Sequence, residues 1–493
     1  MGQDLRKARR LLLRATFASL SGAALDACGG GGGGEPAAGS PPKTPAPTPT
    51  PTPSPGPTPA PAPPSPVPGN VINADPTDYL AKLRQLKPGD TLLLAPGRYG
   101  VDASGNDTGS PPGLPILDLN GTAAAPIVIT GPESGPRPVL LGRSTHNTIR
   151  FGNASYVIVR KLEIDGRGRE GFGVATQGPT HHITIEDNHF HGLDGDQQIV
   201  AISTTGFATW NWVIRYNVID GAGTGMYFGN STGDSPFVAG LIEHNVILNT
   251  IGYNLQVKHQ VAWSNAPAGM PTAQTNTIIR HNVFSKSSNS STGGNARPNL
   301  LVGDCPPTGP GSSNGVVIYG NFFCQNATES LFQGEGNVAL YDNLFVTAGD
   351  GVRLQPQNGA VRNVSIFNNT VVAGDIGIAV SGGGAGYTRR VVGNAVFAGS
   401  PLSLSEATAT DNVTDTRASS VQYLNNPLAA IGSLDLFPKA GKLKAAAIDL
   451  SPFNGLPDWN KDFNLLARDS SFRGGYSGEG SNPGWSLALT LKP

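Results

Sequence analysis

Lysine is scarce in the middle of this 493-residue chain, and one lysine has neighbours that suggest chemistry. Between Asp90 and Pro438 the only lysines are Lys161, Lys258 and Lys286. Lys258 lies in the polar segment NLQVKH. Burial or a nearby cation lowers the pKa of a lysine, and the neutral amine can then act as a base near neutral pH. Lys258 is therefore a candidate catalytic base, and the alternative is an exposed, solvated lysine.

A repeated phrase predicts the elements that position Lys258. It consists of an aliphatic residue, two variable residues, usually Asn, one variable residue and an apolar residue. The nine aliphatic leaders are Val159, Ile185, Ile214, Ile242, Ile279, Ile318, Leu340, Ile366 and Val391. The fourth position holds Leu162, then Asn188, Asn217, Asn245, Asn282, Asn321, Asn343, Asn369 and Asn394. A repeat of this kind predicts a solenoid whose coils bring equivalent residues into columns.

A second column supports this alignment of the copies. Two residues before the Asn position the chain has Arg160, Glu186, Arg215, Glu243, Arg280, Tyr319, Tyr341 and Phe367. If parallel coils stack about 4.8 Å apart, opposite charges alternate on five rungs and aromatic rings stack on the next three. We interpret the asparagines as structural, because each amide can bond to the backbone of a sharp turn and to the next Asn.

The segment from Val71 to Tyr99 predicts a helix, a turn and a strand. Tyr79, Leu80, Leu83 and Leu86 have helical spacing, Pro88-Gly89 ends the helix, and Thr91 to Leu94 is a short apolar strand. The phrase LKPGDTLLLAPGRY resembles the entry to the right-handed parallel β-helix of the pectate lyase superfold. The resemblance covers residues 71–430. It implies an all-β, single-stranded parallel β-helix with an N-terminal capping helix, and residues 431–493 resemble an irregular C-terminal cap.

The first 70 residues predict export. Residues 1–28 combine a basic start with a short apolar run, as a signal peptide does. Cys28 at its end resembles the lipidated cysteine of bacterial lipoproteins, and the alternative is a disordered leader with no anchor. Arg9-Arg10 also resembles a twin-arginine signal, so the export route stays open. Residues 29–70 form a Gly/Pro-rich linker. We therefore expect an outer-membrane lipoprotein, or a cell-surface or periplasmic protein, whose only membrane contact is a lipid anchor.

The net charge bears on the kind of partner, and the cysteines bear on a possible disulfide. The net charge of -1 argues against a nucleic-acid partner, and we expect a monomer that binds polysaccharide. Cys305 and Cys324 are the remaining cysteines. In an oxidising compartment they predict a disulfide, with two buried thiols as the alternative.

Aligning the second strand of each coil predicts two outward columns. The first contains Ala175, Ser203, Gly229, Lys258, Gly303, Gly334, Gln355 and Ala379. The second contains Gly173, Ala201, Tyr227, Gln256, Leu301, Phe332, Arg353 and Gly377. Lys258 thus lies between two glycines on an exposed face, where small residues leave a floor for a chain-like ligand.

The strand NLQVKH resembles the one that carries the base lysine in the chondroitinase B and alginate lyase family. The resemblance implies a lyase that cleaves a uronic-acid-containing polysaccharide by β-elimination. Candidate catalytic residues are Lys258, Arg353 and Tyr227, and candidate substrate ligands are Asn254, Gln256, Phe332 and Gln355. In that family acidic residues before the lysine hold calcium, whereas this chain has Asn254 and Gln256 there. Arg353 is three coils from Lys258, roughly 14 Å.

Two alternatives remain open. Asp187, Asp194 and Asp196 could hold calcium through oxygen ligands, or serve only as turn residues. The chain could also be a non-catalytic, adhesin-like protein that binds carbohydrate through aromatic stacking. Tyr227, Phe332, Trp210 and Trp212 are the aromatic candidates for that role.

Overall fold

The computed structural model describes residues 69–100, 113–144, 146–264, 266–286 and 289–493. The expected signal peptide, Cys28 and all but the last two residues of the linker lie outside these ranges. No helix in the described part of the chain is long and apolar enough to cross a membrane.

The described chain is a right-handed parallel β-helix in which successive coils contribute strands to three parallel sheets. Sheet 1 contains Val71–Ala74, Thr91–Leu94, Ile127–Thr130, Ala154–Arg160, Thr180–Glu186, Val213–Arg215, Leu241–Glu243, Asn276–Arg280, Gly315–Tyr319, Gly336–Tyr341, Val361–Phe367, Arg389–Val392 and Thr408–Thr410, with the short strands Thr209–Trp210 and Phe237–Val238. Sheet 2 contains Leu114–Leu117, Ile149–Gly152, Val174–Thr176, Val200–Ser203, Thr224–Phe228, Leu255–Val257, Leu300–Val302, Phe332–Gly334, Val352–Leu354, Ile376–Val380 and Ser400–Leu404. Sheet 3 contains Arg98–Tyr99, Val139–Leu141, Glu163–Asp165, His189–Leu193, Val218–Ala222, Val246–Leu248, Val283–Ser285, Phe322–Cys324, Leu344–Val346, Thr370–Val372, Ala395–Phe397 and Val413–Asp415.

The asparagines form a continuous buried ladder at the turn from sheet 1 to sheet 3. Asn245 donates from Nδ2 to Oδ1 of Asn282 at 2.9 Å and to the carbonyl oxygen of Ile214 at 2.8 Å. Its backbone N–H also donates to Oδ1 of Asn282. The same pattern links Asn188 through Asn394 and continues to Asn412. The structural interpretation of the Asn column is confirmed.

The residue before each ladder Asn has left-handed backbone geometry. Examples are Asp187 with φ 51°, His244 with φ 52° and Asp342 with φ 51°. This conformation costs a non-glycine residue about 1–2 kcal/mol. The hydrogen bonds of the following Asn hold the chain in it, which allows sheet 1 to turn directly into sheet 3.

The charged and aromatic column also has the predicted register. Glu186 pairs with Arg215 at 2.8 Å, and Glu243 pairs with Arg280 at 2.7 Å. The rings of Tyr341 and Phe367 stack with centroids 4.6 Å apart. Phe453 extends the stack from the C-terminal segment, 4.0 Å from the Phe367 ring. The column therefore docks the C-terminal cap as well as aligning the coils.

A helix covers the N-terminal end of the coil stack, and the C-terminal segment packs on the outer faces of sheets 3 and 1. Helix Tyr79–Leu83 buries Tyr79 and Leu83 in the interior of the first coils. After the last coil come the 3₁₀ helices Ala418–Gln422 and Ser451–Phe453 and the antiparallel pair Leu424–Asn426 and Asp435–Pro438. A further 3₁₀ helix, Gly293–Asn295, lies in a loop. The predicted capping helix is confirmed, and the C-terminal segment has the expected irregular structure, although the last strand of sheet 1, Thr408–Thr410, remains exposed.

Lys492 anchors the end of the chain on the side of the coil. Its buried ammonium donates to the carbonyl oxygens of Phe463 at 2.7 Å and Gly320 at 2.9 Å. It also lies 3.6 Å from the centre of the Phe463 ring. His281, next to it, has a pKa lowered to about 2 by burial and then by the Lys492 charge. The centres of the His244 and His281 rings are 5.0 Å apart with the ring planes tilted by 34°, and we interpret this histidine column as structural.

The predicted disulfide is wrong. Cys305 and Cys324 are both free and buried. Cys324 belongs to sheet 3, whereas Cys305 follows a strand of sheet 2 and contacts the Arg362 side chain at 3.1 Å. Burial raises the pKa of the Cys305 thiol to about 11 and that of Cys324 to about 12, which keeps both protonated.

The ladder generates the first prediction. Asn282→Ala removes two side-chain bonds to backbone carbonyls and the acceptor for Asn245, each loss costing roughly 1–3 kcal/mol because the groups are buried. We expect a clear fall in the denaturation midpoint. Asn454→Ala, which replaces an exposed Asn whose φ of -63° suits alanine, should change stability by no more than about 0.5 kcal/mol. Equal effects of the two substitutions would contradict the role of the ladder.

Candidate functional site

The outer face of sheet 2 carries some of the predicted site residues. Its register aligns Tyr227, Gln256, Leu301, Gln333 and Arg353 on consecutive coils. Gln333 therefore stands where Phe332 was expected. Toward the N-terminus the same line holds Ser203, not Ala201.

Phe332 is not a substrate ligand, and that prediction is wrong. Its side chain is fully buried because it pairs with the inward residues Leu300 and Val352. Gly334 makes room for it: a Cβ on Gly334 would lie 2.8 Å from the Phe332 ring. In the sequence, a large apolar residue followed two positions later by glycine is compatible with either an inward or an outward orientation. In the structure Phe332 points inward, because its ring packs in the interior.

The residues directly after the strands form the Lys258 line. Backbone hydrogen bonds join Lys258 to Phe228, Gly303 to Val257 and Glu335 to Val302, so successive coils carry the residues Gly229, Lys258, Gly303, Glu335 and Gln355. The predicted Gly334 is thus replaced in this line by Glu335. A carboxylate lies two coils from the lysine, with only a glycine between them.

The surroundings of Lys258 favour the neutral amine. Burial lowers the pKa of Lys258, the carboxylate of Glu335 opposes that shift, and the guanidinium of Arg297 adds to it. Within the described ranges the amine makes no hydrogen bond or ion pair to another residue, and the side chain is half-buried. Lys258 is therefore accessible to solvent and has a lowered pKa.

The two glycines beside Lys258 have a steric role. A Cβ on Gly303 would lie 2.1 Å from the backbone nitrogen of His259. A Cβ on Gly229 would lie 3.2 Å from Cβ of Lys258. Side chains at these positions would displace the Lys258 segment or cover it, so the glycines keep the lysine open on two sides.

Glu335 is the main residue that sequence reasoning missed. It is buried, and its carboxylate accepts the backbone N–H groups of Gln357 at 2.7 Å, Asn358 at 2.9 Å and Gly359 at 3.0 Å. These bonds fix the carboxylate and the loop after strand Val352–Leu354. Its position directly after Phe332–Gly334 becomes evident only with the correct register.

Tyr227 and Gln256 lie on neighbouring coils beside Lys258. Burial raises the pKa of Tyr227, so its hydroxyl keeps its proton, and the side chain is half-buried. Gln256 is only 2% exposed, and its Oε1 has no hydrogen-bond partner among the described residues. A ligand reaches Gln256 only if neighbouring side chains move. Burial also raises the pKa of Tyr253, whose ring is 5.8 Å from the Arg297 guanidinium.

Three other predicted residues lie elsewhere. Asn254 is fully buried and donates to the Thr250 hydroxyl at 3.0 Å and the Ser285 carbonyl at 3.1 Å, so its prediction as a substrate ligand is wrong. Arg353 pairs with Asp350 at 2.6 Å, three coils from Gln256. Gln355 is equally far along the Lys258 line. The structure therefore does not bring Arg353 or Gln355 to the lysine.

The aromatic residues expected to stack on sugars are mostly hidden. Trp210 is 2% exposed and Trp212 is fully buried. Trp210 packs with Val238 and Met270 beneath the loop that follows residue 260. Tyr227 is the one member of the predicted aromatic set that keeps part of its surface accessible.

Two of the three acidic residues considered for calcium, Asp187 and Asp196, have protein partners. Asp187 accepts the guanidinium of Arg137 at 2.6 Å, and Asp196 accepts the backbone N–H of Gln198 at 2.8 Å. In the described part of the chain, no group of three or more His, Cys, Asp or Glu residues is arranged to hold a metal ion. Calcium binding stays a prediction.

The fold defines the class of the chain as a right-handed parallel β-helix protein. No protein-family model and no curated protein match it. It resembles the solved GH136 lacto-N-biosidase from Eubacterium ramulus with a TM-score of 0.47 and 12% identity, over 70% of this chain and 68% of that one. It also resembles pectate lyase Pel9A, with a TM-score of 0.43 and 15% identity over 87% and 98% of the two chains. For an alginate lyase from Paenibacillus sp. str. FPU-7 the values are 0.36 and 15% over 70% and 95%.

The two charges acting on Lys258 generate a prediction with opposite signs. Glu335→Gln removes the charge that raises the pKa of Lys258, so that pKa should fall further. Arg297→Gln removes a charge that lowers it, so the pKa should rise. Titration of isotope-labelled dimethyl-lysine by NMR, assigned with Lys258→Arg, measures both. Shifts of the same sign, or no shift in either variant, would contradict the described environment.

Proposed function

We propose that the chain processes a polysaccharide on the outer face of sheet 2 and cleaves a uronic-acid-containing substrate by β-elimination. The observation that carries this proposal is Lys258, an accessible amine whose pKa is lowered by burial. Elimination next to a uronate carboxylate needs such a base. The parallel coils offer an extended face along which a polymer can lie.

In the proposed step, the neutral amine of Lys258 removes the proton from the carbon that bears the carboxylate. The electrons of that C–H bond form a carbon–carbon double bond, and the bond to the glycosidic oxygen breaks. Tyr227, protonated because burial raises its pKa, supplies a proton to the leaving oxygen. Arg297 is the nearby cation that can balance the substrate carboxylate.

The alternative is a protein that binds carbohydrate on the same face without cleaving it. One observation favours it: the arginine expected to assist the lysine, Arg353, is occupied by Asp350. A binding face needs no proton transfer, and a half-buried lysine and tyrosine would suffice to contact a sugar. The two functions differ in whether the product contains a new double bond.

The activity should depend on Lys258 and on pH. The full chain, incubated with alginate, polygalacturonate, chondroitin sulfate or heparin, should produce the ultraviolet absorbance of an unsaturated uronate from at least one polymer. Lys258→Ala should lower the rate about 10²–10⁴-fold, the range for loss of a general base. Because the neutral amine is the active form, the rate should rise with pH through the lowered pKa of Lys258.

Lys161→Ala is the matched control, because Lys161 is paired with Glu133 in a turn away from sheet 2. It should leave the rate unchanged. Parallel reactions with and without a calcium chelator test the metal requirement. Binding of a polymer without new absorbance would support the non-catalytic alternative, and full activity in Lys258→Ala would remove the assignment of the base.

We also propose that the protein is exported and held at a membrane by a lipid on Cys28, on the basis of the sequence of residues 1–28. Labelled palmitate fed to bacteria that express the full chain should enter the protein. Cys28→Ser should abolish the labelling and release the protein from the membrane fraction. Labelling that persists in Cys28→Ser would exclude this anchor.

A further inference from the structure

A groove with a volume of about 610 Å³ crosses the outer face of sheet 1, and Lys258 is not among its lining residues. This volume lies in the range of about 300–1,000 Å³ that is typical of small-ligand sites. The floor is the outward line Val317, Ala339 and Ser365 on three successive coils. One wall is the C-terminal segment 452–456, held in place where Phe453 stacks on Phe367.

Amide side chains line the groove in a second row. Asn363 donates from Nδ2 to Oδ1 of Asn337 at 3.1 Å, and Asn337 donates to the carbonyl oxygen of Asn314 at 3.0 Å. The next coil carries Gly315, and the coil beyond it carries Asn276. The row of amides is therefore interrupted by one glycine.

The interruption at Gly315 opens a polar notch. A Cβ on Gly315 would lie 3.1 Å from Oδ1 of Asn276 and 3.1 Å from the carbonyl oxygen of Asn337. Within the described ranges the side chains of Gln274, Asn276 and Ser365 make no hydrogen bond to the protein. Their donors and acceptors are therefore available to a ligand in the groove.

Tyr387 supplies an aromatic surface at the groove. Its side chain is 41% exposed, and the Arg389 guanidinium lies 5.9 Å from its ring centre. Aromatic rings beside a polar groove offer the stacking surface that the C–H face of a sugar ring prefers, while amides and hydroxyls bond to the sugar hydroxyls.

The groove contains no unbalanced charge among its lining residues. The only charged one is Arg362, which is buried and paired with Asp304 at 2.9 Å. Its guanidinium also donates to the carbonyl oxygens of Cys305 at 3.1 Å and Pro306 at 3.2 Å. Arg390 follows Ser365 along the floor line on the next coil and is exposed. It lies outside the lining, so the lining itself offers hydrogen-bond partners and no counter-charge.

We propose that this groove is a second binding site that takes an uncharged oligosaccharide, separate from the face that carries Lys258. It would hold a neutral part of a polysaccharide, or a neutral glycan next to it, while the Lys258 face acts independently. The combination of free amides, an exposed tyrosine and balanced charge carries the assignment.

Calorimetric titration of the full chain with neutral oligosaccharides tests the site, using cellohexaose, mannohexaose and xylohexaose as probes and a galacturonate hexamer as the charged comparison. We expect at least one neutral probe to bind, with an affinity that salt does not change. Tyr387→Ala removes the stacking surface, and Ser365→Arg fills the floor of the groove. Each substitution should weaken binding about tenfold or more.

Two controls make the result specific. Tyr216→Ala removes a tyrosine that is equally 41% exposed but lies outside the groove, and it should leave binding unchanged. Lys258→Ala should also leave it unchanged, which separates this site from the proposed lyase function. Absence of binding by all three neutral probes, equal losses in Tyr387→Ala and Tyr216→Ala, or preferential salt-sensitive binding of the charged hexamer would overturn the proposal.

Discussion

The hydrogen-bonded asparagine ladder is the interaction on which the rest of the structure depends. From Lys161 onward each coil turns sharply from sheet 1 into sheet 3, with a left-handed residue at the corner that costs about 1–2 kcal/mol when it is not glycine. On the coils from Asn188 to Asn412, one Asn per coil bonds to backbone groups near its own turn and to the N–H and side-chain groups of the neighbouring coil. No single coil can do this alone. The ladder therefore makes each of these turns dependent on its neighbours and fixes the register of the coils that it joins.

Because the register is fixed, the outer faces of sheet 2 and sheet 1 present different side chains in regular lines. On sheet 2, the line through Lys258 and Glu335 places an amine with a lowered pKa two coils from a fixed carboxylate. On sheet 1, the line through Asn337 and Asn363 presents amides and no unbalanced charge. The C-terminal cap shapes the second surface, because Phe453 continues the aromatic stack and forms a wall of the groove. Packing of the cap and formation of that groove are thus coupled.

The sequence predicted what the repeat controls and failed where coil lengths vary. The Asn column and the alternation of Glu186 with Arg215 follow from one strict phrase, so both the fold and the register of sheet 1 could be predicted. Loops of unequal length lead into the strands of sheet 2, and these strands are short. The sequence therefore does not define how the strands of sheet 2 align with one another. The sequence therefore predicts Phe332 on the outer face, whereas the structure buries its ring next to Gly334. The same error in register hides Glu335. The pairing of Arg353 with Asp350 and the burial of Asn254 depend on loop packing that no repeat specifies.

Hydrogen exchange of the full chain, followed residue by residue or by mass spectrometry of short peptides, tests the central claim most directly. If the ladder holds the coils together, the backbone N–H groups of Asn217, Asn245, Asn282, Asn321 and Asn343 should be among the slowest to exchange, with similar rates along the row, because each donates to the Asn of the next coil. The N–H groups of exposed loop residues should exchange much faster. Fast exchange at the ladder asparagines, while the strands of sheet 2 remain protected, would contradict the account.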